Sequence, residues 1–145
     1  MMLLVGHDEA VGQWVADHIP HMAGGSFGAA RAVGVLSGGV LLAGVVYNEY
    51  HPRYKTMQIS IAAESPRWAC RGVIRDLLSY PFEVVGVEKL WAATPSRNAR
   101  ALRFNRWVGF HQEGVLERQF GDDDAVMTAM FLEDYEAKYK QAIAA

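Results

Sequence analysis

A mixed α/β fold built on one sheet is predicted, on three observations. Short β-branched apolar runs alternate with amphipathic segments of helical period. Glycine- and proline-rich breaks separate neighbouring runs and give several of them hairpin connections. The composition, 51% hydrophobic and 21% charged over 145 residues, is that of an ordinary globular domain. One domain over 1–145 is expected, burying about two-thirds of the surface of its unfolded chain.

In chain order, residues 2–6 form a short apolar strand. Asp8 is placed as the N-cap of a helix to Ile19, stopped by Pro20, with Val11, Trp14, Val15 and His18 along one face. The glycine-rich stretch 23–28 reads as a loop. Residues 29–36 and 40–47 are strands joined by Ser37-Gly38-Gly39. Residues 56–63 alternate Met57, Ile59 and Ile61 with Thr56, Gln58 and Ser60, a half-buried strand. A helix follows from Ala69 to Tyr80, with Val73, Ile74, Leu77 and Leu78 inward. Residues 88–94 are a strand ended by Pro95, and 98–108 a helix closed by Gly109. Strands at 115–120 and 125–132 flank the turn at 121–124, and a polar helix at 133–142 completes about seven strands with their flanking helices.

Several function classes are excluded at this level. A formal net charge of −2 argues against a wholesale nucleic-acid binder. The lone Cys70 excludes an internal disulfide and a cysteine-rich zinc site. Pro20 interrupts any helix that would pair His18 with His21, and Asp122–Asp124 reads as a turn, so no metal is expected. The apolar run 33–47 is too short and too glycine-broken to span a bilayer, and Met1–Val5 is too short for a secretory signal. A cytoplasmic protein with no membrane partner is expected.

The segment 63–72 carries the clearest chemistry. A polar-faced strand runs through Glu64-Ser65-Pro66 into Arg67-Trp68-Ala69-Cys70-Arg71-Gly72, which opens a helix. Free amides and the dipole at a helix start favour an anion such as a diphosphate, and Ala69 and Gly72 permit close approach. Arg67, Arg71 and Arg75 recur at four-residue spacing, so in a helix they form one basic stripe. The alternative is a solvated arginine face.

Asn98, then Gly109-Phe110-His111-Gln112-Glu113-Gly114, completes a pattern that resembles the GNAT superfamily of N-acetyltransferases. The stretch 110–115 is similar to the ending found in the ribosomal-protein and α-amino acetyltransferase branch, and 80–92 is similar to that branch's helix, loop and strand. The resemblance runs from about Thr56 to Leu132. It implies a mostly antiparallel sheet splayed between its fourth and fifth strands, and acetyl-CoA as co-substrate. Backbone of Ile61, Ala62 and Ala63 would pair with the pantetheine. Arg67, Trp68, Ala69, Cys70, Arg71, Gly72 and Val73 would surround the diphosphate, with Asn98, Ala101 and Phe104 completing the cofactor contacts.

The sequence departs from that family twice. Cys70 replaces the first small residue of the phosphate loop in one register; in the other, Trp68 and Cys70 occupy both small positions. Cys70 itself reads as a small packed residue. Asn105 stands where many relatives have a tyrosine that protonates the departing thiolate; an amide cannot do so but can hydrogen-bond the sulfur.

Aminolysis needs a neutral amine. A lysine ammonium near pKa ~10.4 must be deprotonated at a cost of about 4 kcal/mol near pH 7, and an α-amine near ~7.8 needs far less. Candidate bases are Glu49 and His51, read in the segment entering the fourth strand, and Glu64, which also reads as a loop cap. Gln58 and Ser60 are candidates for orienting a water, and Tyr47 for donating a proton. Trp14, Trp68, Trp91 and Trp107 read as core anchors, with Trp68 an alternative cover for the cofactor.

The expected function is acetyl transfer to a primary amine in a ternary complex, the acceptor being a protein N-terminus, a lysine or a small amine. The alternative is a catalytically silent CoA-binding or protein-interaction domain. A homodimer is the default assembly for such a fold.

Overall fold

A computed structural model describes residues 1–22 and 24–140. Ala23, at the start of the expected glycine-rich loop, and residues 141–142, the end of the expected terminal helix, lie outside the described residues. The seven strands are β1 (Met2–Leu4), β2 (Arg31–Ser37), β3 (Val40–His51), β4 (Thr56–Ala63), β5 (Lys89–Pro95), β6 (His111–Leu116) and β7 (Ala125–Phe131). They form a mostly antiparallel sheet in the order β1-β2-β3-β4-β5-β7-β6. The helices are α1 (Asp8–His18), α2 (Arg71–Ser79), α3 (Ala99–Val108) and the single turn α4 (Leu132–Tyr135). No helix among the described residues is long and apolar enough to cross a membrane. The chain divides into two compact units, Met1–Tyr50 with Gln58–Ser79, and His51–Met57 with Tyr80–Ala145.

In the first unit, β2 and β3 pair from Arg31↔Tyr47 to Ser37↔Val40. Gly38 and Gly39, with φ of 57° and 80°, make the two-residue loop that matches the strands' twist. Val11 and Val15 of α1 pack with Ala32, Val46 and Ala62 in the core. Gly34 and Gly44 face each other across β2 and β3. A Cβ on Gly44 would stand 2.5 Å from Val15 Cγ2, and one on Gly34 3.5 Å from Val11 Cγ2. The bare backbone at Gly44 is what lets α1 lie so close to the strands, whereas at Gly34 an added Cβ would press on Leu41 Cδ1 at 2.5 Å.

Asp8 does not cap α1. It is the first helical residue, and its carboxylate instead accepts the Ala32 N–H at 2.9 Å, tying the helix start to β2. Alternation along β4 holds for Met57 and Ile59, both buried, but Ala62 is more buried than Ile61 because α1 covers the other face there. The helix expected from Ala69 starts at Arg71, because Pro66–Trp68 forms a separate 3₁₀ turn. Helical backbone then continues past Ser79 as a π-helical turn over Tyr80–Val85.

In the second unit, β7 pairs with β5 and with β6, and β6 bulges between Gln112 and Gly114. β6 begins at His111, not at Val115, and ends at Leu116, since Gly109 turns the chain straight from α3 into a strand. Leu90, Val108, Phe110, Ala129, Met130 and Tyr135 are buried in its core. The expected polar terminal helix is neither wholly α-helical nor polar on its inner side. α4 passes into a π-helical turn over Glu136–Lys140, and Tyr135 and Tyr139 are both buried. The Tyr139 hydroxyl donates to the Val108 carbonyl and the Lys138 ammonium to that of Trp107, closing the C-terminal end of α3.

Candidate functional site

The segment expected to form the phosphate loop lies in the first unit and is built by a change of backbone at the end of β4. The Glu64 N–H donates to the Leu42 carbonyl at 2.9 Å, so pairing with β3 persists to that residue. Ser65 then caps the 3₁₀ turn, its Oγ accepting the Arg67 N–H at 3.2 Å, and Pro66 fixes the first turn position. The loop cap is therefore Ser65, and the expected capping role of Glu64 is not observed. Trp68 is only 3% exposed, a core anchor with its ring turned away from solvent.

Cys70 initiates α2, its carbonyl accepting the Ile74 N–H at 3.1 Å. Its thiol is exposed rather than packed. Arg67, Arg71 and Gly72 are exposed, with Ala69 and Val73 half-buried beside them. Gly72 faces open space: an added Cβ would meet nothing within 4 Å. Arg67 belongs to the 3₁₀ turn, so the predicted three-arginine helical stripe reduces to Arg71 and Arg75 on α2. Arg67 precedes the helix start instead, its Nε donating to Ser65 Oγ at 3.4 Å.

Glu64 is engaged elsewhere. Its Oε1 lies 3.0 Å from His18 Nε2, while His18 Nδ1 lies 2.7 Å from the Trp14 carbonyl and the imidazole stacks on the Trp14 ring at 3.8 Å. Desolvation pulls the His18 pKa down, but the Trp14 carbonyl and the Glu64 carboxylate more than offset it and leave it raised.

Glu49 and His51 are both exposed and both lie on β3, which runs to His51, rather than in a segment leading into β4. Glu49 has a left-handed φ of 52°, and the preceding Asn48 Oδ1 is buried with no hydrogen-bond donor among the described residues. Tyr47, considered as a proton donor, is buried with its hydroxyl donated to the Leu77 carbonyl at 2.6 Å. Gln58, Ser60 and Ile61 are half-buried on β4, while Ala62 is buried and Ala63 exposed.

In the second unit, Asn98 caps α3, its Oδ1 accepting the Ala101 N–H at 3.2 Å. Ala101, Phe104 and Asn105 are half-buried. Asn105 Nδ2 donates to Thr94 Oγ1 on β5 at 3.2 Å. Trp107 is 54% exposed and is not the expected core anchor.

The residues that carried the family resemblance have structural reasons. Gly109 takes φ 126° to end α3, and Phe110 is buried. Glu113 pairs with Lys89 at 2.9 Å, and Gly114 sits at the β6 bulge. Sequence reasoning missed the His18–Glu64 pair, whose members are 46 residues apart, and the Asn105–Thr94 contact. Neither leaves a local signal.

No protein-family model matches the sequence, and no curated protein matches it. Solved structures do. A chimera of the Vibrio cholerae spermidine N-acetyltransferase SpeG and hSSAT superposes with a TM-score of 0.74 at 16% identity, covering 92% of this chain and 96% of the other. Mutant forms of the spermidine/spermine N-acetyltransferase SpeG from Vibrio cholerae give 0.74 at 14% identity, covering 94% and 98%. A dodecameric spermidine N-acetyltransferase from the same organism gives 0.65 at 18%, covering 79% and 71%. The fold is thus shared with these N-acetyltransferases, in agreement with the seven-stranded, mostly antiparallel sheet and flanking helices expected from the sequence. Its similarity to the spermidine enzymes spans nearly the whole chain.

Proposed function

We propose that this protein is an acetyl-CoA-dependent N-acetyltransferase acting on a primary amine. The observation that carries the proposal is the open start of α2 within a fold shared along nearly its full length with N-acetyltransferases. Exposed Arg67 and Arg71 stand at the start of α2, where helix amides and dipole favour an anion, and Gly72 leaves the approach unobstructed. That set fits a diphosphate. In the same unit, backbone of Ile61, Ala62 and Ala63 would hold the pantetheine.

Chemically, the neutral amine attacks the thioester carbonyl, the C–S bond breaks, and CoA leaves as a thiolate. A thiolate of pKa ~8.5 needs little acid assistance, which is compatible with Asn105 in place of a proton donor. Glu49 and His51 are the proposed proton acceptors, both exposed to solvent. The neighbours named for spermidine make a small polyamine one acceptor to test. The stretch 110–115 favours a polypeptide α-amine as another, in keeping with the ribosomal-protein branch. A soluble cytoplasmic setting and assembly of identical subunits complete the proposal.

Calorimetric titration with acetyl-CoA, followed by thiol-release assays with spermidine, a lysine peptide and a free N-terminal peptide, tests it. Saturable binding with turnover of one amine is expected. No binding at millimolar acetyl-CoA would overturn the proposal. Binding without turnover would favour the silent-domain alternative, toward which the engagement of Asn105 by Thr94 points.

A further inference from the structure

His18 and Glu64 occupy a position that the acetyl-transfer proposal leaves unused. Glu64 is the residue between β4 and the Ser65 cap, three positions before Arg67. An uncompensated carboxylate there opposes the binding of a polyanion to the same loop. His18, from the last turn of α1, supplies the compensation.

The partners of the two ring nitrogens favour one protonation state. The Trp14 carbonyl carries no proton, so Nδ1 must donate to it at 2.7 Å. Nε2 faces a carboxylate oxygen at 3.0 Å, and an ionised carboxylate can only accept. Both ring nitrogens therefore donate, which is the imidazolium. Two further features favour the cation: the C-terminal end of α1 and the face of the Trp14 ring.

We propose that His18, as imidazolium, positions and neutralises Glu64 at the entrance to the diphosphate loop, so that CoA binds more tightly when His18 carries its proton. The inference rests on the acetyl-CoA reading of that loop. Above the titration of His18, the imidazole keeps the Nδ1 proton for the Trp14 carbonyl. Nε2 then becomes an acceptor facing an acceptor, the pair breaks, and Glu64 presents a full negative charge beside Arg67.

The charged and titratable groups around His18 reinforce this direction. Asp17 on α1 adds a second negative charge that favours protonation, and Glu64, just past the end of β4, is the partner. His21, in the 3₁₀ turn over Pro20–Met22, has its pKa lowered by burial, so it adds no positive charge at neutral pH.

The test is calorimetric titration of CoA at low salt, at pH values between 5.5 and 8.5 (about three units in all), into wild-type protein, Glu64→Gln and His18→Gln. The phosphates of CoA titrate identically in the three experiments, so only differences between the proteins are read. Wild-type affinity should fall across this range about three- to tenfold more than that of Glu64→Gln. His18→Gln should bind weakly throughout, matching wild type at its alkaline limit. In a parallel proton-NMR titration, the His18 ring should lose its proton at lower pH in Glu64→Gln than in wild type. Identical pH profiles in all three proteins, with CoA bound, would overturn the role of His18 and leave the acetyltransferase proposal standing. No CoA binding by wild type at any pH would remove both.

Discussion

The side-chain amide of Asn105 donates to the hydroxyl of Thr94 at 3.2 Å, joining α3 to β5. Thr94 is buried, and its oxygen is the acceptor that fixes which way the Asn105 carboxamide faces. Replacing Thr94 by Val should cost about 1 kcal/mol in urea unfolding, the usual loss for one part-buried hydrogen bond. A double-mutant cycle with Asn105→Ala should return most of that as coupling energy. Additive losses in the cycle would show that the two side chains act independently.

Changing both Arg67 and Arg71 to Ala should weaken CoA binding about tenfold and flatten its salt dependence. Arg75→Ala is the control. It lies a turn further along α2, beside Asp76 at 3.6 Å, and should leave the affinity unchanged. Equal effects from all three arginines would mark a diffuse surface field in place of a local cradle.

Gly72→Ala should separate stability from binding. The added methyl meets nothing within 4 Å, so the helix should gain about 0.5 kcal/mol from reduced chain entropy. The same methyl stands in the proposed path of the diphosphate, so CoA affinity should drop. Thermal melting and calorimetry on one sample check both signs. Gly44→Ala is the opposite case: its methyl would press on Val15 Cγ2 at 2.5 Å, costing about 1–3 kcal/mol.

Tyr47→Phe should lower stability by about 1 kcal/mol through loss of the hydrogen bond to the Leu77 carbonyl, and leave acetyl transfer unchanged. A large fall in kcat with normal stability would restore Tyr47 as a proton donor.

Folding stability should carry the signature of His18. Its pKa is raised in the folded chain, so its contribution is fully present below the ordinary imidazole value near ~6.5 and is lost as pH rises through the folded value. Urea unfolding of wild type and His18→Gln should therefore differ most at mildly acidic pH and converge at alkaline pH. A difference independent of pH would mean that packing on Trp14, not charge, holds the imidazole.

Much of the fold was legible because its signals are local. Gly38-Gly39 fixes a hairpin, Asn98 and Gly109 bracket α3, and the Met57–Ile59 alternation marks β4. The errors arose where tertiary contacts displaced local preference. Asp8 has good capping chemistry, but β2 offers the Ala32 amide, which takes its carboxylate. The arginine spacing is ideal for a stripe, but Pro66 diverts Arg67 into a tighter turn before the helix begins. Trp107 has an anchor's composition but an exposed place on α3. The loop proposed for an anion could be read from residue types alone. The partner of Glu64 could not, because His18 comes from another element.

Cys70 is the sole cysteine of the sequence, and it lies on the surface just before α2, within the loop proposed to receive the nucleotide. One equivalent of a maleimide dye would therefore label the unaltered protein at a single defined position. Emission from that dye would report arrival and departure of the coenzyme in real time, giving rate constants without an engineered reporter.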